Sequence, residues 1–529
     1  MPRPKVDERT RKRINKACLY CQKTKQKCDG LMPCGKCARR NQSSSCAYSP
    51  HERSYGHRRR RQKPTERCQT DIRHTETIEA NAPAATARPS GSNQLSGTRP
   101  SMKESEVSVP RLSQVLYDNK GQIVYLGNCA ALAFLQNIQQ LIETETGHTA
   151  DVSNLSVVEE LPPVQDGGLD LYITRNKEEL KGLVDVFFIS TCGILDLFDR
   201  AHVETLLGCW TSTLESLDSG SSAVLCLVIA CAAQIRSASL VDKLRAQSFY
   251  QQGRQLALLE LTNNPTTETI QAFTLISIYM LGCSWRNGAS LNLGIAISAA
   301  KSLGYHQDTT NSAYDMKERH RRAQVWKTLH YHDLFFSAMM GRSSSTSNTD
   351  STAVDDGDSN GENFDDEFSQ SLSMTESLRA FLIIERAVNK VYTKETVSLG
   401  ILQSLTRELQ EKSVNLAKAF YTPANASRSS SEHAQQLNLR NAHVSCSYYF
   451  AMMLLTRPFL ITSLRAKSSM EHAGSGQSHG LSNNGVGGSI SSEIFSGAMT
   501  CIDSATYTVQ LLHELLTANM LFNNMPFIV

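Results

Sequence analysis

Six cysteines, Cys18, Cys21, Cys28, Cys34, Cys37 and Cys46, follow the spacing C-x2-C-x6-C-x5-C-x2-C-x8-C. Thiolates in paired C-x2-C steps are ligands for a borderline-soft metal such as zinc. No His lies inside the run, so a mixed Cys/His finger is excluded. Tetrahedral zinc takes four ligands, and two separate sites would need eight sulfurs. Six suffice when two sulfurs each bridge both metals, which leaves the cluster with a formal double negative charge. Lys16, Lys23, Lys25, Lys27, Lys36, Arg39 and Arg40 surround it and offset that charge.

The elements that carry this cluster sit in a polarised chain of 529 residues. Residues 1–67 hold a net charge of +15, and the rest a net charge of −12. A basic head on an acidic body points to a polyanion partner for the head. The first residues, Met1 to Arg13, contain no apolar core, so they do not read as a secretory signal. The longest apolar run, Ala223 to Ala233, has 11 residues, against the roughly 20 a bilayer needs. It reads as a buried core helix, and no membrane partner is expected. A soluble intracellular protein follows, with reduced thiols rather than disulfides. The nine cysteines outside the run, among them Cys226, Cys231 and Cys283 in apolar stretches, read as core residues.

The order Ala17-Cys18-x-x-Cys21, Lys25-Gln26-Lys27-Cys28-Asp29-Gly30, Pro33-Cys34-x-x-Cys37 and Cys46-Ala47-Tyr48 resembles the fungal binuclear zinc cluster regulators. The resemblance implies two Zn2+, with Cys18 and Cys34 as the bridging thiolates. Cys21 and Cys28 would complete one zinc, and Cys37 and Cys46 the other. Pro33 would shape the loop between the halves, often through a cis bond. It implies double-stranded DNA as the partner, read as a CGG-like, GC-rich triplet. Lys25 stands at the main base-contacting position, with Lys16, Lys23, Lys27, Arg39 and Arg40 as further DNA-binding residues. Thr24 departs from the family, which usually has Lys or Arg there. The chemistry agrees, since a lysine at a helix end in the major groove reaches guanine O6 and N7.

The expected fold is a small binuclear zinc cluster DNA-binding head over 12–50, a disordered linker over 51–110, then an all-α regulatory domain. The linker is rich in Arg, Gln, Thr, Ser and Pro and cannot bury enough surface to fold. Its basic run, Arg58, Arg59, Arg60, Arg61 and Lys63, suits nuclear import or added phosphate contacts, or is a solvated charge run. Residues 111–168 read as a connector with a short strand at 122–127 and a helix at 130–142.

From 169 to 529 the pattern is helix after helix. Leu183 to Phe198 fits one or two, Ala223 to Ile235 is a buried one, and Phe249 to Leu261 is amphipathic. Thr266 caps the next, and Gly304 and Gly341 each end one. Further helical runs are 378–391, 402–420, 437–455 and 502–521. Segments 343–373 and 463–492 read as flexible insertions. The eight carboxylates of 350–367 read as a solvated loop or a weak activation surface.

The body resembles the regulatory middle domain of the same family. The matching stretches are 269–272, 294–297 and Leu303-Gly304-Tyr305-His306, then Arg321-Arg322, Val325-Trp326-Lys327 and Gly341-Arg342. These are packing motifs and name no ligand. His306, His330 and His332 read as core or surface residues, not metal ligands. Catalytic signals are poor. Gly476-Gln477-Ser478-His479-Gly480 fits G-x-S-x-G but follows no strand.

The reading is therefore a nuclear, sequence-specific transcription regulator of RNA polymerase II genes, working with the transcription machinery or co-regulators, and not an enzyme. The alternatives are a hydrolase with a structural zinc head and a metal- or redox-sensing thiol protein. No heptad seam runs through 49–80, so the head is expected to bind one triplet as a monomer, with any weak dimer made by the body. The end, Asn523 to Val529, is expected to be truncated relative to the family.

Overall fold

A computed structural model describes residues 18–23, 28–29, 31–40, 46, 106–117, 123–146, 173, 176–212, 217–261, 263–346, 366–394, 396–419, 431–473 and 486–525. The chain separates into two units, Met1–Gly97 and Thr98–Val529. The first holds two short helices, α1 (Leu19–Lys23) and α2 (Gly35–Arg39), around the six cysteines.

The second unit opens on β1 (Glu106–Ser108), β2 (Gln114–Tyr117), β3 (Ile123–Leu126) and α3 (Ala131–Thr146). β2 and β3 form an antiparallel hairpin, with Gln114 opposite Leu126. The linker was expected to reach residue 110, but β1 lies inside it and pairs with β4 (Thr396–Ser398). The alternation of Glu106, Val107, Ser108 and Val109 explains this. Val107 and Val109 are buried in the body's core while Ser108 is exposed.

The helices α4 (Lys177–Ser190), α5 (Arg200–Thr211), α6 (Ser219–Arg236), α7 (Leu240–Glu260), α8 (Thr267–Gly282) and α9 (Arg286–Ser302) follow. Ile194, Leu195 and Phe198 were expected to be helical. They lie instead in the turn and coil between α4 and α5, and are buried there. Hydrophobic spacing cannot separate a helix from a buried connection.

α6 is the central helix, with every residue from Ala223 to Ala233 at most 1% exposed. The Asp218 carboxylate caps it by accepting from Ser221 N at 3.0 Å. That donor also holds the Asp218 carboxyl below its usual range. α7 crosses α6 at Gly253, where a Cβ would come within 2.7 Å of Leu227. By length and composition α6 and the stretch Glu432–Lys467 could cross a membrane, but 72% of each such window is buried inside the body.

α8 starts on a reciprocal capping box, Thr266 with Thr269, as the sequence predicts for Thr266. After α9, Gly304 is left-handed with φ +76°. Arg322, on α11 (Met316–Met340), donates to Leu303 O at 2.6 Å and Asn311 Oδ1 at 2.8 Å. Its guanidinium lies 3.9 Å from the Tyr305 ring centre and 4.4 Å from that of Tyr314. The Gly304-Tyr305 and Arg321-Arg322 motifs are thus one packing unit, with Asn311 supplied by the short helix α10 (Asp308–Asn311).

α11 ends at Gly341, φ +68°. α12 (Asp366–Ala387) follows and passes into one π-helical turn, Val388–Tyr392, before β4. Of the expected insertion 343–373, residues 366–373 are therefore helical. Tyr331, Phe335, Phe381 and Phe450 join α11, α12 and the later helix α14 in one aromatic cluster.

The last three helices are α13 (Leu399–Ala419), α14 (Ser431–Ala473) and α15 (Val486–Thr517). The insertion expected at 463–492 is corrected at both ends, because α14 runs on to Ala473 and α15 begins at Val486. Ala, Lys, Arg and Glu after Ser463 are good helix formers, and extending a formed helix is easier than starting one. α14 contains Pro458. Lacking an N–H, it leaves the Leu454 carbonyl without its helical donor. The Tyr392 hydroxyl fills that place at 2.6 Å. After α15 the chain turns back. Asn523 Nδ2 donates to the Arg236 and Ser237 carbonyls at the end of α6, and Asn524 Nδ2 to Gly282 O at the end of α8.

Candidate metal centre and nucleic-acid interface

Each half of the head is a short helix entered by a cysteine. Cys34 is the N-cap of α2, and its sulfur accepts from Cys37 N at 3.4 Å. Cys18 precedes α1 and accepts from Cys21 N at the same distance. The C-x2-C step thus places the second thiol one turn on, beside the first. Cys34 N in turn donates to Cys46 Sγ at 3.2 Å, which draws the last cysteine in. All six are buried.

The sulfurs fall into two sets of four. Cys18, Cys21, Cys28 and Cys34 form one, and Cys18, Cys34, Cys37 and Cys46 the other, with all sulfurs in a set within 4.8 Å. Cys18 and Cys34 belong to both, as a shared-thiolate arrangement requires. Zinc–sulfur bonds of about 2.3 Å at tetrahedral angles put neighbouring sulfurs about 3.8 Å apart. The Cys18–Cys34 and Cys18–Cys37 separations are 3.8 Å, and Cys21–Cys34 is 3.7 Å. The donor set therefore fits metal. Among the described residues no histidine enters such a group; His330 and His332 are buried in the body core.

The electrostatics distinguish the shared pair. The backbone N–H of Cys37 draws the Cys34 thiol down to about 6, and that of Cys21 lowers Cys18. Burial, with neighbouring thiols, pushes Cys21 up to about 12 and raises Cys37 as well. The two sulfurs common to both sets are the ones lowered, whereas Cys46, although it too accepts a backbone N–H, is raised.

Sequence reasoning gave Asp29 no role, yet its carboxylate closes the loop between the halves. Oδ2 accepts from Gly35 N at 2.7 Å and Oδ1 from Leu31 N at 3.1 Å. Those donors hold the carboxyl below its usual range. A Cβ on Gly35 would come within 2.8 Å of Oδ2. The available signal was the Asp29-Gly30 pair, since an Asp side chain in a turn bonds backbone N–H groups just after it. The Met32–Pro33 peptide in this loop is cis.

Of the basic residues, Arg39 and Arg40 are exposed at the end of α2, and Arg39 Nε donates to Gly35 O at 3.1 Å. Lys23 closes α1. Lys16, Thr24, Lys25, Lys27, the run Arg58 to Arg61 with Lys63, Ser478, residues 350–365 and residues 526–529 lie outside the described residues.

Two family profiles match the chain. Residues 16–55 match the fungal Zn(2)-Cys(6) binuclear cluster domain, and residues 184–447 the fungal specific transcription factor domain. An uncharacterized transcriptional regulatory protein of Schizosaccharomyces pombe is 22% identical over 63% of this chain and 46% of its own length. The thiamine repressible genes regulatory protein of the same yeast is 20% identical over 97% of this chain and 70% of its own. An activator of stress genes from Saccharomyces cerevisiae is 26% identical over 38% of this chain and 22% of its own. The chain thus spans about half the length of the first of these relatives. All three are regulators by their names, and the second is similar over nearly the whole chain. The chain belongs to the fungal Zn(2)-Cys(6) binuclear cluster transcription factors, a family of transcription regulators and not of enzymes.

Proposed function

We propose that the protein is a nuclear, zinc-dependent regulator that binds a GC-rich, CGG-like triplet in double-stranded DNA and acts on genes read by RNA polymerase II. The observation that carries this reading is the sharing of Cys18 and Cys34 between two four-sulfur sets. Two Zn2+ held there fold a head too small to have another core. Lys25 contacts guanine, while Lys16, Lys23, Lys27, Arg39 and Arg40 bind phosphate and fix register. Arg58, Arg59, Arg60, Arg61 and Lys63 serve nuclear import and non-specific attraction. The helical body conveys the signal to co-regulators. A gel shift of the full chain on duplexes with and without a CGG triplet, before and after chelation, tests it. Chelator-sensitive preference for the triplet supports the reading. Binding that ignores either the triplet or the chelator overturns it.

A further inference from the structure

The middle of α15 is built inside out. An amphipathic helix on a globular body ordinarily turns its large apolar residues inward. Between Gly497 and Val509 the residues facing the body are small, while Ile494 and Leu515 pack inward toward the two ends. Ala498, Cys501, Ser504 and Thr508 are buried, and Gly497 lies so close to α14 that a Cβ would come within 2.6 Å of the Phe459 ring. The large apolar residues face out: Phe495 is 61% exposed, Ile502 44%, Val509 67% and Leu516 64%.

These outward residues follow a strict order. Phe495, Met499, Ile502, Thr506, Val509, His513 and Leu516 are separated by alternating steps of four and three. That is the spacing of a coiled-coil seam, whose partner is another helix crossing at a shallow angle. Between Phe495 and Leu512 the only charged side chain is Asp503. The flank residue Ala505 is exposed and small enough for close approach.

We infer that this seam is a docking surface for α15 of a second copy of the chain. Charge argues for self-association. A seam with so little charge offers no complementarity to an acidic or basic partner, and sets almost no like charges against its own copy. Area argues the same way. The exposed apolar side chains present on the order of 500 Å2 per copy, so a twofold pair buries about 1,000 Å2, the lower bound of a specific interface. The platform is firm, because α15 packs along α14 and the turn after it is tied to the ends of α6 and α8. Such a dimer would pair two heads without a coiled coil beside the cluster.

The test is sedimentation of the zinc-loaded full chain without DNA, so that failure of the DNA-binding reading does not enter it. A concentration of roughly 50 μM detects a dimer of micromolar affinity. The expected result is a dimer for the natural chain and a monomer for Ile502→Glu/Val509→Glu, with the melting temperature held within about 2 °C because both residues are exposed. Thr506→Cys should form an intermolecular disulfide on mild oxidation, and adding Val509→Glu should abolish it. A monomeric natural chain overturns the proposal. So does a glutamate variant that stays dimeric, or one that unfolds and thereby shows these positions to be core.

Discussion

Gly127 and Gly341 cross backbone to backbone where β3 meets the end of α11. Gly127 follows β3, and a Cβ there would stand 1.7 Å from the Gly341 carbonyl oxygen. Gly341 is left-handed, and a Cβ on it would stand 2.7 Å from Gly127. Gly127 N donates to Met340 O at 2.9 Å, and Arg342 donates to Tyr125 O at 2.9 Å. The β2–β3 hairpin is thereby fastened to the family domain. Gly127→Ala should cost about 1–3 kcal/mol or more and should hasten proteolysis within residues 106–146, read by limited digestion and thermal melting.

Shared and unshared sulfurs should differ in metal content. Cys46→Ala removes a ligand from one set, whereas Cys34→Ala removes one from both. Elemental analysis should give two zincs for the natural chain, one or nearly two for Cys46→Ala, and few or none for Cys34→Ala. Equal losses would refute the sharing.

Base reading and backbone contact should separate on DNA. Lys25→Ala should lose about 1–3 kcal/mol on the cognate triplet and flatten preference. Neutralising Arg58, Arg59, Arg60 and Arg61 should weaken all sequences alike, lowering the salt slope by about 0.9 per lost phosphate contact. Binding titrations at several salt concentrations distinguish the two.

Tyr392→Phe should expose the weakness at Pro458. The Leu454 carbonyl would lose its donor at a buried position, a cost of about 1–3 kcal/mol. Urea unfolding reads the loss. Adding Pro458→Ala should recover part of it by restoring the helical N–H.

Acid should weaken the body before it affects most carboxylates. Burial lowers His330, His332 and His443 to about 4. As pH falls below the ordinary histidine range, the unfolded chain takes up these protons and the native chain does not, so stability drops. Each such histidine contributes up to about 1.4 kcal/mol per pH unit between roughly pH 6 and 5. Nearer pH 4, Asp333 and Glu385, which burial raises, bind protons in the native state and oppose the trend. Urea melts across this window should show the fall, and His443→Gln should remove about a third of the slope.

What could be read from the chain was local. Six sulfurs within 29 residues carry their own geometry, and the caps Thr266, Gly304 and Gly341 act within one turn of their residues. What escaped depended on distant partners. β1 needs residues 396–398, and Tyr392 matters only because Pro458 lies opposite. Arg321-Arg322 reads as a packing motif, but its partners, Tyr305, Tyr314 and Asn311, show only in the fold. The overlong α14 and the early start of α15 were hidden by polar composition, which does not by itself stop a helix already under way.

The pairing of Glu106 with Ser398 also bears on synthesis. A ribosome adding about 5–20 residues per second needs roughly 15–60 s to travel from β1 to its partner strand. The cysteine head has left the exit tunnel by then and is free to take up metal. Throughout that interval Val107 and Val109 wait without their final neighbours, so the nascent body is where a chaperone has most to protect.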